Sequence, residues 1–268
     1  MRPCSGLCDI AVSGVSARFP QQDGNDGWPQ AILFDLDGTL IDSVPDIAAA
    51  VNQLLATEGV LPLAVDAIRL MIGNGVRKLV EKAFDARDIA LEGDALRAMT
   101  DRMMGIYGGH LTGATQLMPG ARELVTACAG AGVMIGIVTN KPEGFTRTIV
   151  DHFGLTSSVR VIVGGDSGTA RKPAPDMLLH ALEQMKVAPH RSVMVGDSPA
   201  DIDAARAVPM ASIAVRGGYT SMPVEQLGAD LVVDGLSEVP QATERLGMMA
   251  RYGSIPADPR RARGCPSS

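Results

Sequence analysis

The chain has 268 residues, 46% hydrophobic and 20% charged, enough to bury a substantial core and to divide into two domains. Its formal net charge of −6 argues against an extended nucleic-acid surface and leaves room only for a local anion site. No apolar run is long enough to span a bilayer, and Asp9 and Ser13 interrupt the apolar residues that a secretory leader behind Arg2 would need.

Residues 1–29, rich in Ser, Gly, Gln, Asp and Pro, are expected to lack fixed structure, as are residues 249–268. Arg260, Arg261 and Arg263 read as part of a solvated tail. Cys4, Cys8, Cys128 and Cys265 form neither CxxC pairs nor the framework of a small disulfide-stapled domain. A reducing cytoplasm is therefore the expected compartment.

The apolar run Ala31-Ile32-Leu33-Phe34 predicts a strand, followed at once by Asp35-Leu36-Asp37-Gly38-Thr39-Leu40-Ile41-Asp42-Ser43. Side chains alternate along a strand, so Asp35 and Asp37 leave its end in the same direction while Leu36 turns away. Ligands of open parallel sheets gather outside the carboxyl ends of the strands, which places this pair where chemistry is expected. On the pair alone, an acidic strand-ending turn is an equal reading.

Ile47, Ala50, Val51, Leu54 and Leu55 follow helical spacing, with Gly59 as a stop; Val76, Leu79, Val80, Ala83 and Phe84 repeat the pattern. A third helical stretch over 94–107 ends at Gly108-Gly109. The methionines in this stretch lack His or Cys partners at ligand spacing and read as core filler. From Met118 onward, helical patterns alternate with short apolar runs at 133–138, 159–163, 192–195 and 212–215, the signature of a parallel sheet with crossover helices. The expected fold is α/β, a Rossmann-like parallel sheet with an inserted α-helical cap. The core would comprise residues 30–44 and 113–248 and the cap residues 45–112. Glycines near 108–113 would serve as hinges.

Three further signals fall at strand ends. Thr139-Asn140-Lys141 offers a hydroxyl and amides to an anion; Lys172-Pro173-Ala174-Pro175 places an ammonium ahead of a helix. In Gly196-Asp197-Ser198-Pro199-Ala200-Asp201, Ser198, Pro199 and Asp201 fit an N-cap, a first-turn proline and a third-position acid. Asp197 precedes the cap and has no such explanation. Acids concentrated at Asp35, Asp37 and Asp197 need a counterion, and all-oxygen ligands suit Mg2+. Neither a zinc site nor a Ser/His/Asp triad fits, because His110, His152, His180 and His190 are scattered.

These four motifs, in this order, resemble those of the haloacid dehalogenase superfamily of phosphohydrolases, over about residues 30–248. The helical insertion is similar to that superfamily's cap. Within it, the Asp35–Ser43 run, Ile72-Gly73-Asn74-Gly75-Val76 and Gly164-Gly165-Asp166 are most like the phosphoglycolate phosphatases. The resemblance implies that Asp35 is the nucleophile, forming an aspartyl-phosphate, and that Asp37 is the general acid/base. It implies Mg2+ held by the Asp35 and Asp197 carboxylates and the Asp37 backbone carbonyl, with Asp201 orienting the metal shell or Lys172. Thr139, Asn140 and Lys172 would hold the phosphoryl group, and Gly73, Asn74 and Gly75 the rest of the substrate, although these glycines equally fit a tight helix-helix turn.

The implied reaction is hydrolysis of a small phosphorylated metabolite, 2-phosphoglycolate first, with no nucleic-acid or membrane partner and the oligomeric state open. Another small-ester phosphatase or pyrophosphatase is the alternative. Ile47 stands where related sugar phosphomutases carry His, which weakens a mutase reading. Intact Asp35 and Asp37 speak against a noncatalytic phosphate-ligand sensor.

Overall fold

Strand β1 (Ala31–Phe34) is buried at every position, and its side chains enter two different cores. Ile32 and Phe34 join one apolar cluster, and Ala31 and Leu33 join another on the opposite face. A strand covered on both faces reads as an unbroken apolar run because neither face meets water. The structure, a computed structural model, describes residues 27–252, so most of the expected unstructured segments, with Arg260, Arg261, Arg263, Cys4, Cys8 and Cys265, lie outside the described residues.

After β1 come β2 (Ile41–Asp42) and four helices: α1 (Val44–Thr57), α2 (Val65–Arg69), α3 (Val76–Asp85) and α4 (Gly93–Gly108). The chain returns through β3 (Gln116–Leu117), antiparallel to β2, and continues as α5 (Ala121–Gly130), β4 (Met134–Val138), α6 (Glu143–His152) and β5 (Val161–Val163). It ends with α7 (Asp176–Met185), β6 (Ser192–Gly196), α8 (Pro199–Arg206), β7 (Ala211–Val215), β8 (Leu231–Val233) and α9 (Val239–Tyr252). The large sheet is six-stranded and parallel, in the order β5-β4-β1-β6-β7-β8. The chain lays strands to one side of β1 and then crosses to the other. The carboxyl end of β1 is therefore the switch point at which such sheets open a crevice. Among the described residues no helix is long and apolar enough to cross a membrane.

Two expectations are corrected, and three short strands are added. Gly27–Pro29, assigned to an unstructured leader, pack against the core: Trp28 Nε1 donates to His190 O at 3.1 Å, and Gly27 O accepts from Arg191 at 2.9 Å. The indole buries against the core and secures its neighbours, which average composition over the segment does not reveal. Helix α9 runs to Tyr252, beyond the expected boundary at 249, because the sequence of its last turn was pooled with the Pro-containing tail behind it. Strands β2, β3 and β8 were not anticipated, since two or three residues carry no periodicity.

The glycine-containing connection at 108–113, expected to be hinge-like, leads into a pinned segment. Asp46 of α1, 4% exposed, accepts from Ala114 N at 2.9 Å, Thr115 N at 2.7 Å and Thr115 Oγ1 at 2.7 Å. Asp46→Ala leaves those buried donors unpaired and is expected to cost about 2–4 kcal/mol. Thermal unfolding should show this as a Tm lower by roughly 5–12 °C. An unchanged Tm would remove Asp46 as the anchor of the return strand.

Candidate active site

Asp35 stands one residue beyond β1, where its N–H donates to Val195 O at 3.0 Å and continues the ladder with β6. The side chain is thereby fixed at the switch point. Lys172 reaches it from the loop after β5: Nζ donates to Asp35 Oδ1 at 2.8 Å, to Asp201 Oδ1 at 2.5 Å and to Val138 O at 2.6 Å. An ammonium has three donors, and all are used. Burial works against its charge, but Asp201 and Asp35 outweigh burial and hold its pKa above the ordinary lysine value.

Asp201 has both of the roles considered from the sequence. Its Oδ2 accepts from Ser198 N at 3.1 Å and Ser198 Oγ at 2.6 Å, closing a capping box at the start of α8, while Oδ1 holds Lys172. Asp197, at the end of β6, is 1% exposed and accepts from Thr39 Oγ1 at 2.8 Å and Tyr219 N at 2.7 Å. Burial raises the carboxyl pKa of Asp197, and the charges of Asp201 and Asp35 add to that rise. Burial likewise raises that of Asp35, with Lys172 pulling the other way.

Asp35, Asp197 and Asp201 each offer an oxygen within 4.8 Å of the others. One lysine cannot balance three carboxylates, and Asp197 receives only neutral donors. Hard oxygen donors carrying excess buried negative charge fit a hard divalent cation. Asp37, whose backbone carbonyl and not its side chain the sequence places in the metal set, turns its carboxylate away from the cluster. It accepts from Ser43 Oγ at 2.5 Å and Lys141 Nζ at 2.6 Å, so the third carboxylate of the cluster is Asp201.

Thr139 lines a cavity of about 40 Å3 together with Asp35, Asp37 and Lys141, closed on its far side by Ile47, Val76, Leu79 and Tyr107. A wider cavity of about 240 Å3 shares Asp35 and Asp37 and opens past Asn74, Lys82, Asp197 and Tyr219. Asn140, expected to bind substrate, lines the small cavity; its Nδ2 donates to Gly73 O at 2.9 Å and Lys172 O at 3.0 Å, while its buried Oδ1 has no partner among the described residues. Gly73 and Gly75 line the small cavity, and Gly73 and Asn74 the wide one, so the loop between α2 and α3 closes over both.

Sequence reasoning missed Lys141, Thr39, Ser43 and Tyr219. Lys141 adjoins the Thr139-Asn140 pair, yet a lysine is ordinarily solvent-facing, and its partner Asp37 lies 104 positions away. Tyr219 follows Asp197 by 22 positions with no motif between, and acts through its backbone N–H.

Against known proteins, residues 32–215 match the family model described as haloacid dehalogenase-like hydrolase. A phosphoglycolate phosphatase of Rhodospirillum rubrum is 36% identical over 241 residues, covering 85% of this chain and 100% of its own. One from Caulobacter vibrioides is 35% identical over 211 residues, covering 79% and 89%. The crystal structure of a predicted phosphoglycolate phosphatase from Haemophilus somnus superposes with a TM-score of 0.75 at 28% identity, covering 80% of this chain and 97% of that one. That of CbbY from Rhodobacter sphaeroides, in complex with phosphate, gives 0.68 at 25% identity, covering 78% and 96%.

Gly38 makes the acid cluster spatially feasible. Its φ is +89°, and a Cβ there would come within 2.7 Å of Asp197 Oδ2. Gly59 has a similar φ of +70° with nothing within 4 Å. Both alanine substitutions carry a backbone cost of about 1–2 kcal/mol, but only Gly38→Ala displaces Asp197. The rise in Tm on adding MgCl2 is expected to survive in Gly59→Ala and to need at least about 10-fold more cation in Gly38→Ala, a loss of about 1.4 kcal/mol in binding. Equal midpoints would remove Asp197 from the cation site.

Proposed function

The chain belongs to the haloacid dehalogenase-like hydrolase family, and from that premise we propose that it is a Mg2+-dependent phosphatase hydrolysing a small phosphate monoester, 2-phosphoglycolate first, to glycolate and phosphate. One observation carries the reading. Carboxylates from the ends of β1 and β6 and from α8 share a pocket with a buried lysine that touches the proposed nucleophile. Curated relatives named phosphoglycolate phosphatase support the substrate assignment.

In this reading Asp35 attacks phosphorus in line with the leaving oxygen. An Oδ–P bond forms, the ester P–O bond breaks, and Asp37 gives its proton to the departing alkoxide. Water then attacks the aspartyl-phosphate, Asp37 takes the proton, and the Oδ–P bond breaks to release phosphate. Thr139 donates a hydrogen bond to the transferring group, and Lys172 neutralises charge on it while keeping the Asp35 carboxylate aimed. Mg2+ held by the Asp35 and Asp197 carboxylates and the Asp37 carbonyl would offset repulsion between an anionic nucleophile and a phosphate dianion. The helical insert α1–α4 acts as a cap that keeps bulk water out and limits the substrate's size. The cytoplasm, where small metabolites are at hand, completes the proposal.

Phosphate release from a panel of 2-phosphoglycolate, sugar phosphates and pyrophosphate, with MgCl2 or with EDTA, tests this directly. Turnover is expected to be highest for 2-phosphoglycolate, to vanish with chelation, and to fall at least about 10³-fold in Asp35→Asn, which removes the nucleophile without changing its shape. Turnover surviving in Asp35→Asn would exclude the covalent route. A folded, Mg2+-loaded chain that released phosphate from nothing on the panel would point to a phosphate-ligand sensor.

A further inference from the structure

Lys141 is the site's second buried lysine, and the reaction above gives it no part. Its side chain is 3% exposed, and its Nζ lies 2.6 Å from Asp37 Oδ1 and 4.9 Å from the centre of the Tyr107 ring. The two lysines differ in how their donors are spent. Lys172 serves two carboxylates and a carbonyl, whereas Lys141 has a single hydrogen-bonded carboxylate partner. The ring face of Tyr107 favours the ammonium further and fixes its position.

Lys141 also differs in what it faces. It lines the cavity of about 40 Å3 beside Asp35, Asp37 and Thr139, and the far wall there is the apolar set Ile47, Val76 and Leu79. A carboxylate on a short ester would enter this space beside the ammonium. A charged group that comes to lie between this apolar wall and the two aspartates gives up part of its hydration and is accepted only if it finds a partner of opposite sign. The partner available here is an ammonium.

Resting on the phosphatase reading, we propose that Lys141 determines substrate specificity: its ammonium is shared between Asp37 and a carboxylate on the leaving alcohol, so the enzyme selects phosphate esters bearing an acid group close to the ester oxygen. Lys82, the lysine that the insert brings to the wide cavity, reaches Met71 O at 3.5 Å and no other hydrogen-bond acceptor among the described residues. It stands at the mouth and does not discriminate.

The test compares 2-phosphoglycolate with 2-hydroxyethyl phosphate, which carries a neutral hydroxyl where the other carries a carboxylate. The readout is the ratio of kcat/KM for the two esters on one preparation, so the folded fraction of a variant cancels. The wild-type ratio is expected to be about 30–100, to fall below about 3 in Lys141→Met, and to stay above about 10 in Lys141→Arg and in Lys82→Met. A ratio that survives in Lys141→Met, or that collapses in Lys82→Met instead, overturns the assignment. So does loss of both turnovers in equal measure in Lys141→Met, which would make Lys141 a support for Asp37 alone. A wild-type enzyme that hydrolyses both esters equally also ends this inference while leaving the phosphatase reading intact. Hydrolysis of neither ester, nor of any other on the panel, brings down the reading itself.

Discussion

The buried ammonium of Lys172 is the constraint around which the rest of the site is arranged. It ties the end of β1 through Asp35, the end of β4 through Val138 O and the first turn of α8 through Asp201. A charge taken out of water is tolerable only when its partners are close and its donors are filled, and here three acceptors lie at 2.5–2.8 Å. Each partner is itself held: Asp35 by a backbone bond to β6, Asp201 by the Ser198 cap. Removal of the lysine would leave two buried carboxylates facing each other. The same contact also keeps the Asp35 oxygen at the crevice.

Parallel topology explains how segments so far apart in sequence meet. Asp35 and Asp197 lie 162 positions apart, yet β1 and β6 are adjacent and in register, Phe34 beside Val195, so Asp35 emerges beside Gly196 and Asp197 follows one residue further along the same crevice. Thr139 follows β4 on the other flank of β1 and takes its place by the same logic. Charge is then apportioned within the crevice: Lys172 bridges Asp35 and Asp201, and Lys141 stands by Asp37. The two aspartates of one short motif thus sit in different electrostatic surroundings, which is what two different tasks in one reaction require.

The sequence made the strand ends legible because each combined an apolar run with a residue that no turn or cap explained. Asp197 stood out in this way, Asp35 did so only once the other strand ends were set beside it, and Ser198, Pro199 and Asp201 announced the start of α8 through ordinary capping chemistry. What stayed hidden depended on the third dimension. Lys141 looks like any surface lysine until the fold brings Tyr107 and Asp37 around it. Tyr219 holds Asp197 through a backbone N–H, which has no residue signature at all, and nothing in the sequence shows that Asn140 Nδ2 ties Gly73 O to Lys172 O. Residue type reveals capacity for an interaction; only the chain path decides where that capacity is used.

Tyr219 shows how the insert and the acid cluster are linked. Its N–H holds Asp197, its hydroxyl donates to Asp42 Oδ1 at 2.8 Å and accepts from Ser43 N at 2.8 Å, and its ring lies 5.5 Å beneath the guanidinium of Arg69 at the end of α2. Ser43 in turn donates to Asp37. One tyrosine therefore touches a residue of the insert, a carboxylate of the cation cluster and the segment that positions Asp37. Together with the Asn140 bond to Gly73 and the Tyr107 ring over Lys141, this gives the insert separate footholds on the crevice. With the insert seated, the apolar wall of Ile47, Val76 and Leu79 faces Asp35 and Asp37; without it, those acids would face water, where fixed charges are far weaker at selecting or activating a phosphate ester.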